Sequence, residues 1–338
     1  MKSGRLHVHL ENLTTKPAVF QLTPGLAKAA RKRNPDVARR TDFTVGEDFE
    51  DFDRRLHTTV MLVTSSDVIR DRRFPSAALA RAAPRLRAIH LIGAGVEGVL
   101  PLDWLPPGVQ LTNNSGVHAA KAQESMCMAL LALNAKLPTI VSNQQHQRWE
   151  QIFTPAIRGK MLLVVGLGNL GRAGVRAGRS LGLRVIGVSR SGKKVAGIDR
   201  AYRTGQLALA IKSADFVLVA VPLTPATKNL LDRVTLAATK PGVGIINMGR
   251  AGVMDYAALA ELLREGHVGG AILDVFTPEP LPESSPLWST PNLIVIPHVS
   301  SDDRDMYMHG TLDLVCGNLR RLMASRKLTN VVRPELGY

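Results

Sequence analysis

The chain has 338 residues, of which 45% are hydrophobic and 21% charged, values typical of a globular protein of about two domains. Its only cysteines, Cys127 and Cys316, are far apart, which excludes a disulfide framework and a cysteine-based metal site. The N-terminal segment lacks the apolar core of a signal peptide, and no apolar run is long enough to span a bilayer. We therefore expect a cytoplasmic protein with no metal and no membrane partner.

The net charge is +15 at pH 7, a value that raises the question of a nucleic-acid partner. The arginines are scattered along the sequence, and aromatic residues make up only 4% of it, without the spacing of a base-stacking surface. We therefore expect no nucleic-acid partner. Two interpretations of the charge stay open: a basic, well-solvated surface, and a field that attracts an anionic cofactor and substrate.

The first 117 residues alternate between strand and helix patterns. Apolar, β-branched runs predict three strands, at 5–10, 59–64 and 86–92. Helices are predicted at 75–83 and at 24–33, where Thr23 is the N-cap and Pro24 the first helical residue. This alternation is typical of a small parallel α/β domain.

A glycine-rich turn, Gly93-Ala94-Gly95-Val96-Glu97, follows the third predicted strand. Ligands of open parallel sheets bind beyond the carboxyl ends of the strands, and backbone N–H groups in such a turn can hold an anion. An ordinary tight turn explains the same glycines, and the residues alone do not separate the two interpretations.

The middle of the chain is predicted to connect two domains. Residues 111–117 (LTNNSGV) are rich in turn formers and predict a strand end and a hinge. A long helix is predicted from 119 to 137, closed by Pro138. The polar segment 144–149 is predicted to be an exposed arm, although simple packing is the ordinary interpretation of Trp149 within it.

A dinucleotide-binding motif begins at residue 161. An apolar strand (161–165) precedes Gly166-Leu167-Gly168-Asn169-Leu170-Gly171, which is followed by a segment of helical length and a second strand (184–188). Strand, GxGxxG, helix and strand in this order form the dinucleotide-binding unit. Gly166 permits the tight turn, Gly168 lets a pyrophosphate approach the backbone, and Gly171 lets the helix pack closely on the strand.

Repeated strand–helix pairs follow this unit and predict a second, doubly wound sheet. The predicted strands lie at 216–221, 244–247, 270–274 and 293–296, and the predicted helices at 206–212, after 227 and at 255–264. A last helix is predicted at 302–323, with Ser301 or Asp302 as its cap, and we expect it to pack against the first domain.

The residues after the second strand of the dinucleotide unit indicate which cofactor binds. The strand is followed by Ser189-Arg190-Ser191-Gly192-Lys193-Lys194, where NAD-binding units place an acid for the ribose 2′-OH. Arginine binds phosphate through two parallel hydrogen bonds, and serine adds a neutral donor. We therefore predict NADP(H) as the preferred cofactor and NAD(H) as the alternative; a solvated turn explains the two lysines equally well.

Three polar residues follow predicted strands of the second domain. Arg250 lies in INMGR, Glu279 in the loop TPEP, and His298 in IPHVS. An arginine can hold a carboxylate and polarise the adjacent carbonyl. A histidine can protonate the oxygen as hydride reaches carbon, and a carboxylate partner fixes its tautomer. Each residue alone has an ordinary structural explanation, but together, beside a nicotinamide cofactor, they predict a catalytic set.

The chain resembles the D-isomer-specific 2-hydroxyacid dehydrogenase family, which includes glyoxylate/hydroxypyruvate reductases. Five segments carry the resemblance, in the family's order: GLGNLG (166–171), VPLTPAT (221–227), INMGRAGVMD (246–255), GGAILDVFTPEPLPESSPLW (269–288) and PNLIVIPHVS (291–300). They cover most of residues 161–300 and are specific for the family, but much less so for one substrate.

The resemblance implies a role for each matching residue. Arg250 falls on the family's substrate-binding arginine, Glu279 on its catalytic glutamate and His298 on its acid/base histidine. Residues 94–96 (Ala94, Gly95 and Val96) fall where family members bind the substrate carboxylate, which Arg250 and His298 also contact. The predicted cofactor-binding residues are Gly166, Gly168, Asn169, Leu170, Gly171, Ser189, Arg190, Ser191, Lys193, Val221, Pro222, Thr227, Met248, Asp274 and Ser300.

The resemblance also implies the architecture. The fold class is α/β, with two Rossmann- or flavodoxin-like domains of doubly wound parallel sheets. The substrate domain (1–117 plus 304–338) is split around an inserted dinucleotide-binding domain (118–303), and family members usually form homodimers through the latter. Two departures stand out. Ser189 replaces the usual acid, and Asp302 and Asp303 follow the histidine, which puts acidic substrate tails in doubt unless both acids simply favour the last helix.

These observations predict an NADP(H)-preferring reductase of small 2-keto acids, with glyoxylate and hydroxypyruvate as leading candidates. The alternative is a non-enzymatic, nucleotide-sensing regulator of the co-repressor kind, which the basic charge keeps open. Oxidation of a formate- or phosphite-type substrate is a lesser alternative among enzymes.

Overall fold

A computed structural model describes residues 4–337, and the chain divides into two compact units. The first unit runs to His118 and resumes at Asp303, and the second is Ala119–Asp302. The boundaries drawn from the sequence, 117/118 and 303/304, differ by one residue at each junction. That the first unit binds substrate and the second dinucleotide stays a prediction.

The first unit is built on a five-stranded parallel sheet in the order β2-β1-β3-β4-β5, which is the flavodoxin-like order. Its strands are β1 (Leu6–Asn12), β2 (Thr41–Glu47), β3 (Thr59–Thr64), β4 (Ala88–Leu91) and β5 (Gln110–Thr112). Its first five helices are α1 (Pro24–Arg33), α2 (Pro35–Ala38), α3 (Phe52–Leu56), α4 (Ser66–Arg70) and α5 (Leu79–Ala82).

The second unit contains a seven-stranded parallel sheet in the order β12-β11-β10-β9-β6-β7-β8. Its strands are β6 (Met161–Val165), β7 (Arg184–Ser189), β8 (Arg200–Arg203), β9 (Phe216–Val219), β10 (Val243–Asn247), β11 (Val268–Leu273) and β12 (Leu293–Val295). Its helices are α6 (Ala119–Asn134), α7 (Leu137–Gln145), α8 (Asn169–Ser180), α9 (Leu207–Ile211), α10 (Arg233–Ala237) and α11 (Tyr256–Arg264). The last helix of the chain, α12 (Tyr307–Met323), belongs to the first unit.

Both sheets carry a hydrophobic core on each face, because alternate residues of a buried strand point to opposite sides. In β6, Leu163 and Val165 join one core while Leu162 and Val164 join the other. The first sheet shows the same alternation along β3. The α/β class with two doubly wound parallel sheets is therefore confirmed.

Two strands, β2 and β8, were not expected from the sequence. Both lie at the edge of their sheets, and their sequences, TDFTVGE and RAYR, mix a few buried residues with exposed and half-buried ones. Central parallel strands are buried on both faces and are therefore continuous apolar runs, whereas an edge strand need not be one. The apolar pattern thus identifies the central strands and the apolar edge strand β12, but it misses β2 and β8.

Several predicted helix ends were wrong. Pro138 does not close a helix; α6 ends at Asn134, Lys136 adopts a left-handed conformation, and Pro138 lies in the first turn of α7, where proline is well tolerated. The last helix begins at Tyr307 rather than 302, because the Asp303 carboxylate accepts the N–H groups of Asp305 and Met306 in a preceding turn. The helix expected at 75–83 is a 3₁₀ turn followed by α5.

Within residues 4–337, no single helix is both long and apolar enough to cross a membrane. Only α6 and α7 counted together meet those limits, and the pair is bent by 66°.

Candidate functional site

The glycine-rich turn of the dinucleotide-binding motif, Gly166–Gly171, follows β6 and leads directly into α8. Gly166 has a φ of +99°, and a Cβ atom there would lie 2.5 Å from the carbonyl oxygen of Ala220. A Cβ atom at Gly171 would lie 1.7 Å from the Gly166 carbonyl oxygen. Only glycine fits at either position, so these two residues allow α8 to pack against the ends of β6 and β9.

Gly168 differs from its two neighbouring glycines. No atom of the described residues lies within 4 Å of a Cβ placed there, and the φ of −73° suits any amino acid. The open space lies at the N-terminus of α8, where unpaired N–H groups and the helix dipole attract anions. Because the strand order reverses between β6 and β9, the turn fits the pyrophosphate of a dinucleotide.

The carboxyl end of β7 carries no acidic side chain. The strand ends at Ser189, and residues 190–193 form an irregular turn. The nearest acid along the chain, Asp199, lies at the opposite end of β7, where it accepts the Val185 N–H at 2.8 Å and pairs with Arg179. The segment that follows this end, residues 189–194, thus carries hydroxyl and basic side chains and no carboxylate.

Two loops pack closely beyond β9 and β10. Thr227 Oγ1 donates to the Pro222 carbonyl oxygen at 2.7 Å and accepts the Thr224 N–H at 2.8 Å, which fixes the loop after β9. A Cβ atom at Gly249 would lie 2.6 Å from the Val221 carbonyl oxygen. The predicted cofactor contacts Val221, Pro222 and Thr227 thus share one ordered loop.

Arg250 is held by a buried amide that sequence reasoning missed. The fully buried Asn247 Nδ2 donates to the Arg250 carbonyl oxygen at 3.2 Å and to Tyr256 Oη at 3.0 Å. Asn247 Oδ1 accepts the Gly249 N–H at 3.0 Å, which brings Met248 beside Val219 through a 3.1 Å backbone hydrogen bond. The backbone of Arg250 is therefore held in an ordered turn, and its Nη1 donates to the Gly249 carbonyl oxygen at 2.8 Å.

Asp274 joins the end of β11 to the segment that follows His298. Its Oδ1 accepts the N–H groups of Val299 and Ser300, both at 3.1 Å, and Ser125 Oγ donates to the Ser300 carbonyl oxygen at 2.6 Å. Burial raises the pKa of the Asp274 carboxyl, although hydrogen bonds from Ser300 oppose the shift. Asp274 and Ser300, both predicted cofactor contacts, are thus directly linked.

Glu279 and His298 form a hydrogen-bonded pair. Glu279 Oε1 accepts the Phe276 N–H at 2.7 Å, and its Oε2 lies 2.8 Å from His298 Nδ1. The carboxylate therefore selects the tautomer and leaves Nε2 as the ring nitrogen for other chemistry. His298 has a φ of +53°, an uncommon conformation for a non-glycine residue that is found preferentially at functional sites.

A second carboxyl group lies in the electrostatic field of this pair. Burial raises the pKa of Asp302 to about 6, the nearby Asp274 adds to the increase, and His298 opposes it. Residues 302 and 303 were expected either to sit near the site or to favour the last helix. Asp302 lies in the field of His298 and Asp274, whereas Asp303 precedes α12.

The predicted anion-binding turn of the first unit follows β4. Three consecutive carbonyl oxygens, the first just before the turn, accept hydrogen bonds: Ile92 from Tyr307 Oη at 2.8 Å, Gly93 from a backbone N–H at 3.0 Å, and Ala94 from Asn113 Nδ2 at 2.8 Å. Among residues 4–337, no acceptor pairs with the N–H groups of residues 93–96. The turn therefore offers donors to an anion, and the binding role of residues 94–96 stays a prediction.

The structure thus collects Arg250, Asp274, Glu279, His298 and Ser300 at the carboxyl edge of one sheet, together with the glycine-rich turn. The supporting residues Asn247, Tyr256, Asn113 and Tyr307 were not found from the sequence. Asn113 lies in a run of turn formers, which predicted only a hinge, and an asparagine or tyrosine inside an apolar element carries no sign of its partner.

Comparison with known proteins identifies the family. The model of "D-isomer specific 2-hydroxyacid dehydrogenase, NAD binding domain" matches residues 127–300. The D-3-phosphoglycerate dehydrogenase of Mycobacterium bovis is 34% identical over 228 residues, which are 65% of this chain and 42% of that protein. The D-3-phosphoglycerate dehydrogenase of Methanocaldococcus jannaschii is 28% identical over 74% of this chain and 48% of its own length. The chain thus matches less than half the length of these curated relatives.

Solved structures match the whole chain. A D-isomer specific 2-hydroxyacid dehydrogenase from Xanthobacter autotrophicus Py2, in complex with NADPH and MES, superposes with a TM-score of 0.81 at 26% identity, covering 99% of this chain and 100% of that one. An NADPH-dependent glyoxylate/hydroxypyruvate reductase from Sinorhizobium meliloti, in complex with NADP and sulfate, has a TM-score of 0.78 at 25% identity, with coverage of 99% and 100%. The family match over half of the sequence, and the same fold over its full length, agree with the resemblance seen in the motifs. The chain belongs to the D-isomer specific 2-hydroxyacid dehydrogenase family.

Proposed function

We propose that the protein is an NADPH-preferring reductase of small 2-keto acids, which it converts to D-2-hydroxy acids. The observation that carries this proposal is the 2.8 Å contact between Glu279 and His298 at the sheet edge that also holds the open turn at Gly168. Bound NADPH supplies the hydride for the keto carbon. His298 donates a proton from Nε2 to the keto oxygen, and Glu279 stabilises the imidazolium before transfer.

Arg250 binds and polarises the substrate in this proposal. Its guanidinium pairs with the carboxylate and draws charge toward the carbonyl oxygen. The N–H groups of residues 94–96 provide further donors for a carboxylate. Asp274, held by the amides of residues 299 and 300, is the proposed acceptor for the nicotinamide carboxamide.

Preference for NADP(H) over NAD(H) rests on the end of β7. Ser189 leaves the 2′ position without a carboxylate, and Arg190 supplies a guanidinium within the following turn. Two of the structural relatives carry NADPH or NADP.

Both cysteines are free thiols, which supports a reducing compartment such as the cytoplasm.

Two substrate classes follow from the relatives. Glyoxylate and hydroxypyruvate are short and carry one carboxylate, as in the named activity of the S. meliloti relative. The sequence relatives are named for 3-phosphoglycerate, whose 2-keto form, phosphohydroxypyruvate, carries an additional phosphate dianion. We favour the short acids, because Asp302 lies in the field of His298 and would repel a phosphate tail.

An absorbance assay tests the proposal. Oxidation of NADPH and of NADH is followed with glyoxylate, hydroxypyruvate and phosphohydroxypyruvate as separate substrates. We expect kcat/KM with NADPH to exceed that with NADH at least about ten-fold, and the short acids to be preferred. A preference for NADH would refute the interpretation of Ser189, and a preference for the phosphorylated acid would refute that of Asp302.

We propose that the protein is a homodimer through its second unit. Trp149 and Phe153 are 93% and 87% exposed, so the packing interpretation of Trp149 was wrong, and Met128, Leu131 and Ile140 of the preceding helices are also exposed. Exposed aromatic and apolar side chains in one segment are typical of an interface.

The double variant Trp149→Ala/Phe153→Ala is expected to convert the dimer into a monomer, as measured by light scattering after gel filtration. The double variant Leu209→Ala/Val234→Ala removes two exposed apolar side chains elsewhere in the second unit and should stay dimeric. Dissociation of the control, or a dimer that persists without the two aromatic residues, would place the interface elsewhere.

The alternative hypothesis of a nucleotide-sensing regulator predicts cofactor binding without turnover. A nucleotide sensor needs the turn at Gly166–Gly171 but neither Arg250 nor the hydrogen-bonded pair of Glu279 and His298. If NADPH binds and no 2-keto acid is reduced, the sensing function becomes the better explanation.

A further inference from the structure

The arginines that look scattered in the sequence are brought together in the first unit. Helix α12 packs against α1 and α2, and the segments 28–40 and 313–327 form what we term the basic patch. It contains ten basic residues and two acids, a net charge of +8 out of +15 for the whole chain. The rest of the first unit has thirteen basic and fourteen acidic residues, so its excess charge lies in this patch.

A cavity of about 250 Å³ opens in the basic patch. It is lined by three arginines, Arg39, Arg40 and Arg320, by one acid, Asp36, and by Met323 and Ala324. The polar lining therefore has a net charge of about +2, surrounded by further cations. Arginine stays charged at every physiological pH and binds phosphate oxygens through pairs of parallel N–H groups.

Arg320 is held in place by its neighbours. Its Nε and Nη2 donate to the two carboxylate oxygens of Asp36 at 2.6 and 2.8 Å, and Nη2 also donates to Asn34 Oδ1 at 2.8 Å. The carboxylate thus orients the guanidinium plane at one side of the cavity. Because Asp36 pairs with Arg320, its negative charge does not neutralise Arg39 and Arg40.

Arg39 and Arg40 lie on a turn that other residues fix. The Arg40 N–H donates to the Val37 carbonyl oxygen at 2.9 Å, and the Arg40 carbonyl oxygen accepts the Leu6 N–H at 2.8 Å. The Ala38 carbonyl oxygen accepts Nη2 of Arg5 at 2.7 Å. Both side chains are exposed, and in residues 4–337 neither donates a hydrogen bond. Their backbone is rigid while their donors are available, which lowers the entropic cost of binding an anion.

We propose that this cavity is a binding site for a compact polyphosphate group, either free pyrophosphate or the terminal phosphates of a nucleotide. The site lies in the first unit and is separate from the proposed dinucleotide turn, which lies in the second. Its volume and its three guanidinium groups suit a small polyanion rather than the extended backbone of a nucleic acid, which needs a track of phosphate contacts.

Calorimetric titration of the full chain, saturated with NADP⁺ to fill the dinucleotide site, tests the proposal in 150 mM salt. Pyrophosphate, ATP, orthophosphate and citrate are the four titrants. We expect pyrophosphate to bind at one site per chain and more tightly than citrate. If ATP binds as tightly as pyrophosphate, the site accepts the terminal phosphates of a nucleotide. If pyrophosphate binds and ATP does not, the ligand is the free anion.

The double variant Arg39→Ala/Arg40→Ala should raise the Kd for pyrophosphate at least about ten-fold, and Arg39→Lys/Arg40→Lys should fall in between, because lysine keeps the charge but not the paired donors. The control Arg81→Ala/Arg85→Ala removes the same charge from exposed positions of the first unit and should change Kd less than about two-fold. Melting temperatures report that the variants are folded. The proposal would be overturned if both alanine variants weakened binding equally, or if citrate bound as tightly as pyrophosphate. It would also be overturned if no saturable binding were seen, or if the protein retained a DNA duplex stoichiometrically in place of pyrophosphate.

Discussion

Replacing His298 with alanine is expected to lower kcat about 10²- to 10⁴-fold with glyoxylate or hydroxypyruvate, the usual contribution of a positioned general acid. The keto oxygen then lacks its proton donor, whereas the residues proposed to bind the cofactor stay in place. The Kd for NADPH, measured by fluorescence titration, should therefore change less than about two-fold. Near-normal turnover in this variant would remove the proposed mechanism.

Two further variants show whether the histidine acts with its carboxylate partner. Glu279→Gln keeps an oxygen that can accept the Phe276 N–H but loses the negative charge beside His298, so kcat should fall by about ten- to a hundred-fold. His57→Ala removes an exposed histidine of the first unit and should leave kcat unchanged. A Glu279→Gln enzyme with full activity would reduce Glu279 to a structural contact of its loop.

Alanine at Gly168 is expected to abolish tight binding of NADPH without unfolding the protein. The native φ is open to alanine and no protein atom would contact the new methyl group, so the free energy of unfolding should change by less than about 1 kcal/mol. The methyl group would occupy space proposed for the pyrophosphate, and we expect the Kd for NADPH to rise at least about ten-fold. Isothermal titration and thermal unfolding measure the two effects separately.

Alanine at Gly171, in contrast to alanine at Gly168, is expected to destabilise the fold. Its Cβ atom would lie 1.7 Å from a backbone oxygen, so α8 must move, and the loss of stability should reach about 3 kcal/mol or more. Gly205→Ala, with open space around the new Cβ atom, should preserve both stability and cofactor binding. If Gly168→Ala binds NADPH like the original protein, the pyrophosphate is not held at this turn.

Burial largely decides which strands and helices of this chain can be predicted from its sequence. The strands at the centre of the sheets, such as β6, are buried on both sides and therefore appear as apolar runs, whereas β2 and β8 lie at the edges and do not. The starts of α1 and α11 were recognised, where Thr23 and Asp255 accept the N–H groups of Leu26 and Ala258, whereas the short α4, capped by Ser65, was not. The start of α12 was missed, because Asp303 caps a turn before it.

The candidate site could be predicted as residues but not as contacts. His298 and Glu279 are nineteen positions apart, and nothing in the spacing requires Nδ1 and Oε2 to lie 2.8 Å from each other. Motif resemblance supplied their roles, which stay predictions. The amide of Asn247 could not be assigned from the sequence, since its partners come from the turn after β10 and from α11. The basic patch was missed for a similar reason, because its two segments are about 280 residues apart.

The split of the first unit has a consequence for how the chain folds during synthesis. Leu312, Val315 and Leu319 of α12 belong to the same core as Val8 and Leu10 of β1, but the ribosome makes them about 300 residues later. The second unit is continuous and can complete its core while the first still has an uncovered apolar face. We therefore expect the nascent chain to acquire the second unit first and to depend on chaperones until α12 emerges, since exposed apolar surface of this kind aggregates.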